Sequence, residues 1–158
     1  MGRTALVVLV PEADPAVGQV RLRHDSSAAL GVPAHVTVLF PFLDADEVDS
    51  EALQILFSGH PAFDFTLDRV ERWDNGFVWL HPEPSQPFVN LTTEVWRVWP
   101  EYPPYAGEFD AVIPHLTVSE TAIDLRIELP IASRARHVTL LDEKPDGIWV
   151  TRETFPLR

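Results

Sequence analysis

The sequence predicts an α+β fold in a single domain over residues 1–158, assembled from two related halves. One short pattern occurs twice, as Pro33-Ala34-His35-Val36-Thr37-Val38 and Ile113-Pro114-His115-Leu116-Thr117-Val118, with its histidines 80 residues apart, about half the chain. Segments of period-2 apolar alternation are interspersed with segments of helical spacing. Each half also closes on a hairpin signal, Asp74-Asn75-Gly76 in the first and Asp146-Gly147 in the second. A chain of 158 residues is long enough for one core that buries roughly 70% of its unfolded surface.

The elements follow in order. Residues 4–10 are apolar and β-branched and read as a central strand. Residues 14–23 read as a short helix with Asp14 as N-cap and Pro15 at its first position. The first motif strand spans 34–40. Residues 44–57 read as a helix, because acids crowd its start and Val48, Ala52, Leu53, Ile55 and Leu56 recur at helical spacing. Strands at 63–73 and 77–81 flank the first hairpin turn. The second half opens with a helix at 87–99 and a Tyr/Pro-rich loop at 100–112, then the second motif strand at 115–120. Strands at 134–141 and 148–155 close the chain. From motif histidine to hairpin glycine the second half is shorter, 32 residues against 41, so its equivalent of the 44–57 helix is expected to be truncated or absent.

The motif pairs a proton-transfer group with a hydroxyl two residues later. On a strand, residues i and i+2 share a face, so His35 and Thr37 point one way while Val36 and Val38 enter a core. In the second copy His115, Thr117 and Ser119 form the polar row and Leu116 and Val118 the apolar one. With 6 His and 10 Thr, chance gives roughly 0.4 His-x-Thr triplets, and the chain has a third, His137-Val138-Thr139. Only the first two follow a proline and sit half a chain apart. Side by side, they would set two imidazoles and two hydroxyls around one cleft, suited to acid-base chemistry on an anion.

Composition excludes several classes. There is no cysteine, which removes disulfides, thiolate nucleophiles and Cys-based zinc sites. Lys144 is the one lysine, against a ligase working through a lysyl-nucleotide, and no Gly-rich phosphate loop is present. The net charge of −12 is spread over both halves, which disfavours tracking of long nucleic acid but leaves a small phosphorylated substrate or an RNA 3′ end. The apolar run at 5–11 is far shorter than the ~20 residues of a membrane span and no cleavable signal precedes it, so a cytoplasmic monomer is expected.

The paired motifs resemble those of the 2H phosphoesterase superfamily, in the bacterial branch named for RNA 2′,5′-ligase and RNA 2′,3′-cyclic phosphodiesterase. Supporting features are Pro41-Phe42 after the first motif, Tyr102-Pro103-Pro104-Tyr105 before the second, and the terminal Phe155-Pro156-Leu157. The resemblance implies a bilobal fold of two pseudo-twofold antiparallel sheets flanked by helices with a cleft between lobes. It further implies metal-independent hydrolysis of a cyclic phosphodiester, without cofactor, by His35, Thr37, His115 and Thr117. Opening a 2′,3′-cyclic phosphate needs a base for water and an acid for the departing ribose oxygen, and two imidazoles with pKa of about 6.5 can supply both. The threonine hydroxyls would donate to the non-bridging oxygens. Tyr105, Tyr102 and Ser119 are candidate substrate contacts, the tyrosines because an aromatic ring can stack on a base. Alternatives are the reverse, ligase-type reaction, a metal hydrolase using His35, His115 and Glu120, and a non-catalytic nucleotide-binding module. His24, His60, His81 and the third triplet read as structural or exposed, Trp73, Trp79, Trp96 and Trp149 as core, and Arg134 and Arg136 as a solvated sheet face.

Overall fold

Two four-stranded antiparallel sheets frame the computed structural model, which describes residues 2–108 and 111–158. Met1 lies outside the described residues, as do Phe109 and Asp110 of the loop expected at 100–112. The first sheet has the order β2-β1-β7-β8, from β1 (Thr4–Leu9), β2 (His35–Leu39), β7 (His137–Glu143) and β8 (Trp149–Pro156). The second has the order β5-β4-β3-β6, from β3 (Phe63–Arg72), β4 (Val78–Glu83), β5 (Leu116–Ser119) and β6 (Ile131–Ala135). The orders match position for position, with a motif strand, β2 or β5, at one edge of each sheet. These two edges approach with Cα atoms within 8 Å.

Both halves of the chain supply strands to both sheets. The helices are α1 (Asp14–His24), α2 (Ser26–Ala29), α3 (Ser50–Ser58) and α4 (Gln86–Val98). They cross between the sheets in the same way. α1 links two strands of the first sheet but packs on β5 of the second, while α4 links two strands of the second and packs on β2 of the first. There Thr92 Oγ1 donates to the Val38 carbonyl at 2.6 Å. α3 lies on β8, where Ser50 Oγ donates to Glu153 at 2.6 Å.

The period-2 rows fix which face each motif strand buries. Val36 and Val38 on β2, and Leu116 and Val118 on β5, join Leu6, Val8, Leu140, Leu67, Leu80, Phe57 and Phe88 in one continuous core. Burial of each large apolar side chain contributes roughly 1.5–3 kcal/mol. The other face of the first sheet carries a smaller cluster of Ala5, Val7, Val32, Leu141 and Trp149.

Four expectations change. α1 does begin at Asp14, but Ala13 is its N-cap and no side chain caps it, since a 3-10 turn at Pro11–Ala13 already feeds the helix. The helix expected from 44 begins at Ser50: Asp49 accepts a hydrogen bond from the Ala52 amide at 3.1 Å, and the acids before it form a 3-10 turn, Ala45–Glu47. The strand expected at 134–141 is two strands broken at Arg136, β6 pairing with β3 in the second sheet and β7 with β1 in the first. Trp96 is 41% exposed on the outer face of α4, not in the core. Residues 120–130 hold no helix, as the shorter second half implies.

Candidate active site

Both motif histidines are fixed in the same way. His35 Nδ1 lies 2.8 Å from the Pro33 carbonyl oxygen, and His115 Nδ1 lies 2.7 Å from that of Ile113. A carbonyl oxygen only accepts, so each Nδ1 carries a hydrogen and donates it, which makes each Nε2 an acceptor, that of His115 facing the Tyr105 hydroxyl. The first residue of each motif thus sets the tautomer of the histidine two residues later, at both edges.

Tyr105 joins the motifs. Its hydroxyl is hydrogen-bonded to Thr37 and stands 3.4 Å from His115 Nε2, with its ring stacked on the imidazole at 5.9 Å. Its amide donates to the Phe40 carbonyl at 2.7 Å, anchoring the loop to the end of β2. Tyr105 and Ala106 take left-handed backbone, with φ of 52° and 55°. Non-glycine residues rarely adopt that region, and here it turns the phenol back between the two motif strands.

Burial pushes His35 down to about 4, helped by the charges of Arg21 and His115 and opposed by the Pro33 carbonyl and Asp25. His115 is lowered as well, again through burial, with the Ile113 carbonyl opposing. Burial raises Tyr105 against the Thr37 hydrogen bond, so its phenol stays protonated around neutrality.

Other expected contacts lie elsewhere. Ser119 leaves the polar row because β5 bulges: Thr117 pairs with Trp79, but Ser119 pairs with Val78 of the core face. Its hydroxyl is buried and donates to the Thr121 carbonyl at 2.6 Å. Tyr102 packs edge-on to Phe42 at 6.3 Å, against the core. Glu120 accepts from Ser26 N and Oγ at 3.1 and 2.8 Å at the start of α2, which removes it from any metal set with the histidines. Thr139 of the third triplet faces the same side as Thr37, since both pair with Val7 of the intervening β1. It is fully buried, and His137 lies exposed two strand spacings, roughly 10 Å, from His35.

The second sheet supplies a wall. Trp73 and Trp79 stand edge-on to His115 at 4.6 and 5.9 Å, and against each other at 5.1 Å. Both were expected as core, yet Trp73 is half-buried and stands against His115. His81, on the same face of β4, donates from Nδ1 to Asp68 Oδ1 at 2.8 Å. Among the described residues, Asp68, His81 and Glu83 are the one group of three metal-ligating side chains, with ligand atoms within 4.8 Å of one another. Glu83 is exposed and the His81 Nδ1 is already held by Asp68.

A family model described as the 2′-5′ RNA ligase superfamily matches residues 9–147. The chain belongs to that superfamily. Solved structures agree on the fold. E. coli LigT complexed with 3′-AMP is 19% identical with a TM-score of 0.66, over 99% of this chain and 98% of LigT. TT0787 of Thermus thermophilus is 20% identical with a TM-score of 0.69, over 99% and 98%. A further structure of E. coli LigT, complexed with ATP, is 19% identical with a TM-score of 0.66, over 99% and 98%. No curated protein sequence matches significantly.

In this member of the 2′-5′ RNA ligase superfamily one buried ion pair supports the first motif. Arg21 and Asp25 meet at 3.1 Å, 3% and 4% exposed. Arg21 also donates to the Val32 carbonyl at 3.1 Å, and Asp25 accepts from Ser27 N and Oγ at 3.1 and 2.9 Å. Val32 precedes Pro33, whose carbonyl orients His35, so the pair sets the turn that feeds the motif. The i,i+4 spacing on α1 is readable in sequence, but its burial and its reach to residue 32 are not.

Proposed function

We propose that this protein opens a five-membered cyclic phosphodiester, a nucleoside or RNA-terminal 2′,3′-cyclic phosphate, by two-histidine acid-base catalysis. The observation that carries this reading is the matched pair of imidazoles, each with Nδ1 committed to a backbone carbonyl and Nε2 turned away from it, that of His115 meeting the Tyr105 hydroxyl that a substrate would replace. One Nε2 takes a proton from water as the water oxygen bonds to phosphorus. The P–O bond to the ribose breaks, and the other Nε2 delivers its proton to the departing oxygen. The products are a phosphomonoester and a free hydroxyl, and solvent exchange restores the two protonation states. Thr37 and Thr117 donate to the non-bridging oxygens as charge builds there. The nucleotides held by structurally similar proteins, 3′-AMP and ATP in LigT, support a nucleotide-sized substrate.

The test is turnover of nucleoside 2′,3′-cyclic phosphates by the purified protein. EDTA should leave the rate unchanged, because the proton transfers need no Lewis acid. Loss on chelation with recovery on one added metal would replace this mechanism. Including a 5′-hydroxyl oligonucleotide as acceptor separates hydrolysis from joining, since a ribose hydroxyl attacking in place of water gives a 2′,5′ linkage.

The pH dependence follows from the two lowered histidines. Catalysis from the free enzyme requires one ring neutral and the other protonated. With His35 at about 4, kcat/KM should rise as pH climbs through about 4. It should fall as pH passes the value of His115, itself below the usual 6.5. The maximum therefore lies on the acid side of neutrality, whichever ring is the base. Bound phosphate favours both imidazolium forms, so the kcat bell should lie at higher pH than that of kcat/KM. A kcat/KM maximum above pH 7.5 would contradict the assignment.

A further inference from the structure

Resting on the cleft just proposed, we infer that His81, held by Asp68, is a third histidine of the site and accepts a hydrogen bond from an uncharged part of the substrate, a sugar hydroxyl or a base N–H. The register places it. Leu80 pairs with Leu116 and Trp79 with Thr117, and the same antiparallel step, carried one residue past the start of β5, brings His81 level with His115. Residues directly opposite lie roughly 5 Å apart at Cβ. His81 shares its strand face with Trp79, 6.4 Å away between ring centres, and Trp79 in turn touches His115. It is 14% exposed.

The chemistry of the group it reads follows from its neighbours. Nδ1–H donates to Asp68, so Nε2 is the atom left to meet a ligand, and in this tautomer it is an acceptor. Asp68 and Glu83 lie against it, while Arg69, paired opposite His81 in β3, is tied to Glu71 at 2.6 Å and to Asp68 at 3.4 Å. Three carboxylates against one guanidinium repel a second phosphate from this wall. They are compatible with a neutral donor. Trp79 Nε1, buried in the same wall with no acceptor among the described residues, adds unmet polarity on that side. The phosphate end of the substrate thus sits between His35 and His115, and its neutral remainder lies over β4 and β3.

The experiment compares His81→Ala with the unmodified protein on two substrates: a nucleoside 2′,3′-cyclic phosphate, and ethylene phosphate, which has the same ring but neither sugar nor base. The ratio of their kcat/KM values should fall about tenfold, through KM on the nucleoside substrate, the worth of one hydrogen bond to a buried acceptor. Asp68→Ala should lower the ratio in the same sense, because the ring loses its anchor. A 5′-deoxynucleoside and an abasic ribose 2,3-cyclic phosphate tell hydroxyl from base: the analogue lacking the donor is insensitive to His81→Ala. An unchanged ratio in both variants, whether activity is kept or lost on both substrates, overturns the inference and leaves the cyclic phosphodiesterase reading intact. If the unmodified protein turns over neither substrate, that reading fails. The inference is then judged by calorimetric binding of a nucleoside 2′-monophosphate against inorganic phosphate, where His81→Ala must weaken the first relative to the second.

Discussion

Replacing His35 or His115 by alanine should each lower kcat on a 2′,3′-cyclic phosphate at least ~10²-fold, the usual worth of a positioned acid or base. The two losses should be similar, because the rings are held by equivalent bonds to the Pro33 and Ile113 carbonyls. The double variant should be little worse than either single one, since a proton relay that lacks one end gains nothing from the other. Thr37→Ala and Thr117→Ala should cost less, each removing one neutral hydrogen bond to a phosphate oxygen. His137→Ala is the control. It lies exposed, with β1 between it and His35, and should leave the rate within a few-fold. Equal damage from His137→Ala and His115→Ala would move the site across the first sheet.

The largest stability effect should come from Arg21→Ala. Its partner Asp25 is 4% exposed, so truncating the arginine strands a buried carboxylate, at a cost of about 3–5 kcal/mol. For a chain of this length that is a fall in Tm of roughly 10 °C, read by calorimetry. Activity should drop as well, because the Val32 carbonyl loses its donor and the adjoining Pro33 carbonyl no longer holds His35 in one orientation. A fall in Tm under 3 °C would mean that the pair is not the anchor described.

Much of this was legible in the sequence, for reasons that particular residues make plain. Strand alternation set His35 with Thr37 and His115 with Thr117, and the repeated context marked as partners two strands that stand at neighbouring sheet edges. What failed depended on register and on which sheet a strand joins. Arg134 to Leu141 reads as one strand with a single slip of phase, the polar pair Arg136-His137, and only the pairing shows that this slip is where the chain leaves one sheet for the other. Ser119 continues the polar row on paper, and a bulge one residue earlier turns it into the core. Asp44 to Glu47 has the acidity of a helix start, while the hydrogen bond that begins the helix belongs to Asp49. His81 and Asp68, thirteen residues apart on two strands, carry no motif, and their place beside His115 exists only once β4 and β5 pair.

The crossed helices bear on how this molecule can move. α1 ties the first sheet to β5 and α4 ties the second to β2, while each half of the chain lends a hairpin to the other's sheet. Severing the chain between β4 and α4 would leave two pieces, neither owning a complete sheet, that are stable only when mixed. For the same reason the lobes are joined at several places rather than by one linker, and the spacing of β2 and β5 depends on the core beneath them.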